Sequence, residues 1–161
     1  MKRQRVYTDT SVIGGCFDTE FATWSNALIE DFRLRRLHAV LSDVVALEVI
    51  RAPTSVRERY AELLTYGAEV LATSPESVGL AAHYQARGVL APKYAADGLH
   101  IALATVAGVD VLVSWNFRHI VHFDKIRLFN AVNLEAGYKP ISIYSPREVA
   151  TTPDPETDEG S

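Results

Sequence analysis

Residues 95–116 read AADGLHIALATVAGVDVLVSWN. From Ala95 to Ala107 small and apolar side chains recur at helical spacing, and Gly108 stands where a helix end calls for a left-handed residue. Three residues on, Val111-Leu-Val-Ser114 is the apolar run expected of a central parallel strand buried on both faces. Helix, glycine stop and buried strand in this order form the second half of a βα unit. The same alternation continues in both directions, which predicts an α/β domain built on a mostly parallel sheet.

Upstream, the first strand is expected at Arg5 to Asp9, with Thr10 and Ser11 as capping residues of a short turn towards Gly14 and Gly15. Helical spacing of Trp24, Leu28, Phe32 and Leu37 predicts a helix from about Phe21 to Leu37. A strand at Ala39 to Ser42, helices at Asp43 to Arg51 and Ser55 to Tyr66, and a strand near Glu69 to Ala72 follow. A helix from Pro75 to Arg87 breaks at Gly88 and resumes after Pro92. Beyond Asn116 come a helical region, a strand at Ile141 to Tyr144 and a turn at Ser145-Pro146.

The 161 residues amount to one domain, and 48% apolar side chains give it a core that needs no disulfide or metal staple. Cys16 is the one cysteine and has no internal partner. No apolar stretch approaches the roughly 18 residues of a membrane span, no secretory leader is evident, and a cytoplasmic location is expected. The tail TTPDPETDEGS, residues 151–161, has no apolar side chain and is expected to be disordered, leaving residues 1–150 as the domain. Four of the 20 acids lie in that tail, so the overall charge of −4 becomes zero for the domain, with 16 acids against 16 bases. An acidic pI near 5.7 therefore does not argue against a nucleic-acid substrate.

The sequence contains neither of the common glycine-rich phosphate loops nor a G-x-S-x-G nucleophile elbow, and a single cysteine builds no zinc or iron–sulfur framework. What remains is a set of acids near strand ends, where an open parallel sheet gathers its functional groups. Asp9 ends the first strand, Glu48 lies inside the helix after the second, Asp97 is early in the helix before the fourth, and Asn116 follows that strand. Three carboxylates and a carboxamide are hard oxygen donors of the kind that take Mg2+ or Mn2+. Singly, each has a structural reading too. Asp9 and Asn116 suit turns, and Glu48 has Arg51 three residues on, a local pair worth about 0.2–0.5 kcal/mol.

Taken together the segments carry a family resemblance. Val6-Tyr-Thr-Asp9-Thr-Ser-Val-Ile, Ser42-Asp-Val-Val-Ala-Leu-Glu48, Asp97-Gly-Leu-His-Ile-Ala-Leu-Ala-Thr and Val111-Leu-Val-Ser114-Trp-Asn116-Phe resemble, in order and spacing, the motifs of PIN-domain nucleases of the VapC-toxin kind. The resemblance implies a three-layer α/β/α sandwich and a metal-dependent endoribonuclease leaving 5′-phosphate and 3′-hydroxyl ends. It implies Mg2+ or Mn2+ as cofactor, RNA as substrate, a small antitoxin as partner and a homodimer. On that match Asp9, Glu48 and Asp97 are metal ligands, and Asn116 stands where many members carry a further Asp. Asn offers only a neutral carbonyl, which weakens metal binding at that position and cannot act as a base.

Thr10, Ser11, Ser114 and Arg118 are expected around these residues, holding the carboxylates or touching the substrate. His100, one turn past Asp97, reads either as a substrate contact or, preferably, as a core histidine bonded to a neighbour. His119, His122 and Asp124 form an H-x-x-H cluster without a third strong zinc ligand. Trp115 reads as a packing residue or as a platform for a base. Two other functions compete: a catalytically weak PIN-like binding or scaffold module, and a small-molecule Mg2+ phosphohydrolase. The latter ranks lower because no second Asp follows Asp9 two residues on.

Overall fold

The computed structural model describes residues 2–153. Strands β1 (Arg5–Thr8), β2 (His38–Ser42), β3 (Glu69–Leu71), β4 (Val111–Val113) and β5 (Ile143–Tyr144) form one sheet in the order β3-β2-β1-β4-β5. Every neighbouring pair is parallel, with Tyr7 opposite Val40 on one side and Leu112 on the other. Parallel neighbours need crossovers, which the sequence supplies as helices: α1 (Thr10–Gly15) and α2 (Ala22–Arg33) between β1 and β2, and α3 (Asp43–Ile50) and α4 (Thr54–Thr65) between β2 and β3. Then α5 (Pro75–Ala86), a 3-10 turn (Pro92–Tyr94) and α6 (Ala95–Val106) lead to β4, α7 (Phe123–Glu135) to β5, and α8 (Pro146–Val149) closes the fold.

The chain builds outward from β1 to β2 and β3, then returns across the sheet to β4 and β5. Right-handed crossovers then put α1–α4 on one face and α5–α7 on the other, a three-layer α/β/α arrangement. The strand order reverses between β1 and β4, so the turns leaving those two strands diverge and open a crevice beyond their carboxyl ends. Tyr7, Val40, Leu41, Leu112 and Val113 are fully buried at the centre of the sheet, whereas Val70 and Tyr144 on the edge strands are about half exposed.

Several boundaries differ from the sequence expectation. Asp9, not Thr10 or Ser11, caps α1: its backbone is extended and its carboxylate accepts from the Val12 amide. The helix expected to reach Leu37 ends at Arg33, because Arg35 turns left-handed (φ 61°) and the amides of Arg36 and Leu37 bond back to the Asp31 carbonyl. The last strand starts at Ile143 rather than Ile141, whose amide is held 2.7 Å from Asn130 Oδ1 on α7 instead of joining the sheet. Gly108 is left-handed (φ 64°) as expected, two residues past the end of α6 and directly after its C-cap Ala107. Cys16 is free and buried, and burial pushes its thiol up to about 11, which leaves it unreactive. Of the expected tail, residues 154–161 lie outside the described residues; the Thr151 amide bonds to the buried Asp31 carboxylate at 2.8 Å. No helix among the described residues is long and apolar enough to cross a membrane.

Candidate active site

The topological crevice is stitched shut at its base by side chains from both of its walls. Asp9 leaves β1 as the cap of α1, and its Oδ1 accepts from Ser11 Oγ (2.6 Å) and the Val12 amide (3.2 Å). Its Oδ2 accepts from Ser114 Oγ (2.6 Å), which belongs to the turn after β4. The two serines are tied in return to the β4 turn, Ser11 Oγ accepting from the Trp115 amide and Ser114 Oγ from the Asn116 amide, each at 2.9 Å. Asp9 is only 5% exposed. Burial lifts its carboxyl above the usual range, although the charge of His100 and the bonds from Ser11, Ser114 and Val12 pull the other way. Thr10 Oγ1 beside it is buried with no hydrogen-bond partner among the described residues.

A second system lies under the acids. His100, buried on α6, places Nε2 2.6 Å from Glu48 Oε1 and Nδ1 2.6 Å from the Tyr7 hydroxyl, which in turn sits 2.7 Å from Ser42 Oγ. Ser42 also caps α3, accepting from the Val45 amide, and α3 is the helix that carries Glu48. Four residues from β1, β2, α3 and α6 thus form one hydrogen-bonded chain. Burial alone would make His100 less basic, but the Glu48 bond and the charges of Asp9, Glu48 and Asp97 outweigh it and raise the imidazole above its usual value.

Asp97 lies in the first turn of α6, one helical turn before His100, and is half buried. Burial raises its carboxyl and Glu48 adds repulsion, while His100, His119 and the Asn116 carboxamide favour the charged form. The three acids singled out in the sequence therefore converge electrostatically on one imidazole. They do not close on a single point. Glu48 is drawn onto His100 rather than onto Arg51, and no group of three or more His, Cys, Asp or Glu side chains among the described residues is placed to share one ion.

Asn116 is brought to the same edge, but its Oδ1 accepts from the amides of Arg118 (3.2 Å) and His119 (3.0 Å), closing the turn after β4. Its free amide end is the part available to Asp97. Arg118 is exposed on that turn. His119 packs on Tyr94 at 3.7 Å between ring centroids, whereas His122 stands at the N-cap position of α7 without a side-chain capping bond, so the two histidines belong to different elements.

Tyr7 and Ser42 escaped the sequence reading. A tyrosine inside a fully buried strand needs a partner for its hydroxyl. That need is a legible signal, but the partner is 93 residues away and only the fold names it.

No protein-family model matches the chain, and no curated protein matches it. Solved structures do. VapBC2 from Rickettsia felis, solved bound to a DNA fragment from their promoter, aligns with a TM-score of 0.58 at 12% identity over 88% of this chain and 98% of its own. FitAcB from Neisseria gonorrhoeae aligns with a TM-score of 0.56 at 16% identity over the same shares. The chain has a PIN-like fold. Its crevice between β1 and β4 is where the acids of this PIN-like sheet meet. At these identities the likeness is one of architecture, and the chemistry has to be argued from the residues themselves.

Proposed function

We propose that this PIN-like chain is a metal-dependent endoribonuclease that hydrolyses phosphodiester bonds with Mg2+ or Mn2+ as cofactor. The observation that carries the reading is the placement of Asp9 at the end of β1, Glu48 in contact with His100 and Asp97 one helical turn before that histidine, all at the switch point of the sheet. Asp9 and Asp97 are both made more basic by burial, a condition that an added cation relieves, and hard carboxylate oxygens are the donors such cations take. To hold an ion, Asp9, Glu48 and Asp97 would have to draw together from their described positions, Glu48 turning away from His100, with Asn116 steadying Asp97 through its amide. What such an ion supplies is activation of a water molecule and neutralisation of charge on the departing oxygen. The protein's own contribution is orientation. Ser11 and Ser114 fix both oxygens of Asp9, and the Ser42–Tyr7–His100 chain holds Glu48 against α6 before it turns.

The resemblance to toxin components and the likeness of fold to VapBC2 and FitAcB support a small antitoxin as protein partner, and a homodimer is part of the same proposal. A catalytically weak PIN-like binding module is the second reading, favoured by the engagement of the Asn116 carbonyl with backbone amides.

Purified protein is expected to cleave RNA with Mn2+ and to be blocked by EDTA. Asp9→Asn and Asp97→Asn lose cleavage while keeping their circular dichroism spectra. Mn2+ at 100 times its dissociation constant raises the unfolding free energy of the wild type by about 2.7 kcal/mol and leaves Asp97→Asn nearly unmoved. Cleavage retained by either variant overturns the reading, and absence of both Mn2+ binding and cleavage in the wild type overturns it in favour of the binding module.

A further inference from the structure

Next to the acids, on the same edge of the sheet, lies a cleft of about 390 Å3 walled by the rings of Phe21, Trp24, Trp115 and Phe117, with Arg147 and Glu20 among its polar lining. We propose that this aromatic cleft receives one unpaired base of the RNA strand whose neighbouring phosphodiester enters the mouth of the crevice above Asp9. The inference rests on the nuclease reading and adds to it a subsite.

Position carries the first part of the argument. Trp115 is the residue before Asn116, and its amide bonds to the same Ser11 hydroxyl that holds Asp9, so the cleft wall and the acid belong to one hydrogen-bonded unit. The lining comes from the turn after β4, the start of α2 and the start of α8 after β5, so a strand crossing the crevice towards β5 runs into it.

Rigidity carries the second. Trp115 is fixed by stacking on Phe21 at 4.5 Å and by its Nε1 donating to Ser25 Oγ at 2.8 Å, and Phe117 meets it edge-on at 6.1 Å. Gly15 makes this packing attainable, since a Cβ there would stand 2.7 Å from the indole nitrogen. Phe117 nevertheless stays 49% exposed, an aromatic face left open to solvent beside a preformed wall. Aromatic faces held in place are what unpaired bases stack on, whatever their sequence.

Polarity carries the third. Arg147 is exposed with no hydrogen-bond or ion-pair partner among the described residues, because the nearby Glu148 carboxylate is spent on the Ser145 amide and hydroxyl. It is therefore available to a strand phosphate. Glu20, exposed on the opposite side of the sequence turn into α2, offers an acceptor to a base N–H.

The test reads binding, not cleavage. A fluorescein-labelled single-stranded RNA hexamer of adenylate is titrated in EDTA and followed by anisotropy, and the unlabelled hexamer by tryptophan emission, since both tryptophans of the chain line the cleft. The hexamer is expected to quench that emission. Phe117→Ala is expected to weaken binding at least about fivefold, Phe117→Tyr to restore it, and Arg147→Gln to lower the slope of log affinity against log salt by about one. Unchanged binding in Phe117→Ala, or binding without quenching, overturns the subsite. Hexamer binding with quenching in a protein that never cleaves RNA would sink the nuclease reading while leaving the subsite intact.

Discussion

Replacing Ser114 by alanine removes a hydroxyl that bridges the two walls of the crevice. The side chain is fully buried; it donates to Asp9 Oδ2 at 2.6 Å and accepts from the Asn116 amide at 2.9 Å. A hydrogen bond to a charged group contributes about 1.5–3 kcal/mol and an ordinary one about 0.5–1.5 kcal/mol, so Ser114→Ala is expected to cost about 2–4 kcal/mol at neutral pH. For a domain of this size that is a fall of roughly 5–15 °C in melting temperature. The loss also depends on pH with a definite sign. Burial holds the Asp9 carboxyl above its ordinary value, so ionisation of Asp9 opposes folding, and stability falls as pH rises from the unfolded value of 3.8 through the folded one. Ser114 is one of the groups that lessen this rise. Without it the folded carboxyl moves further up, and the stability gap between wild type and variant widens with pH. As pH falls below the folded value the carboxyl becomes protonated, the bond becomes neutral, and the gap narrows to roughly 1–3 kcal/mol. Urea unfolding followed by tryptophan fluorescence in EDTA, repeated between pH 4 and 8, measures the gap directly. A gap that is flat with pH, or that shrinks as pH rises, refutes the claim that Ser114 supports a buried, ionisable Asp9.

Tyr7→Phe keeps the ring in the core but removes the hydroxyl shared by Ser42 and His100, at 2.7 and 2.6 Å. It is expected to cost about 1–3 kcal/mol in thermal unfolding, and an unchanged melting temperature would show that the chain from Ser42 to Glu48 is not formed. Gly15→Ala drives a methyl to 2.6 Å from Ser25 Oγ and 2.7 Å from Trp115 Nε1. Overpacking of this kind costs about 1–3 kcal/mol, and a shifted tryptophan emission maximum should accompany it; wild-type stability and emission together would contradict the packing described.

Sequence alone determined the architecture, because its signals are local. An apolar run too short for a buried helix, a glycine after a helical stretch and a proline at a helix start act on the few residues around them, and β4, Gly108 and the start of α5 appear where those signals stand. It also placed Asp9 and Asn116 at the carboxyl edge of the sheet, since a residue just past a parallel strand has nowhere else to go. Less was legible where a distant group competes. The end of α2 depends on Asp31, whose carboxylate is claimed by Arg36 and by the amide of Thr151, and the start of β5 depends on Asn130 reaching Ile141.

Only the tertiary structure decided how the acids are used. In the sequence Glu48 stands close to Arg51, but the fold hands it to His100, 52 residues away, because a buried imidazole must find a partner for each nitrogen and an exposed arginine need not. Asn116 occupies a ligand-like position in the sequence, and the turn after β4 turns its carbonyl onto two backbone amides that would otherwise be unpaired. Residue spacing encodes which groups reach an edge. Which of them pair there is settled by the desolvation of every buried polar atom at once, and that exists only when the chain is folded.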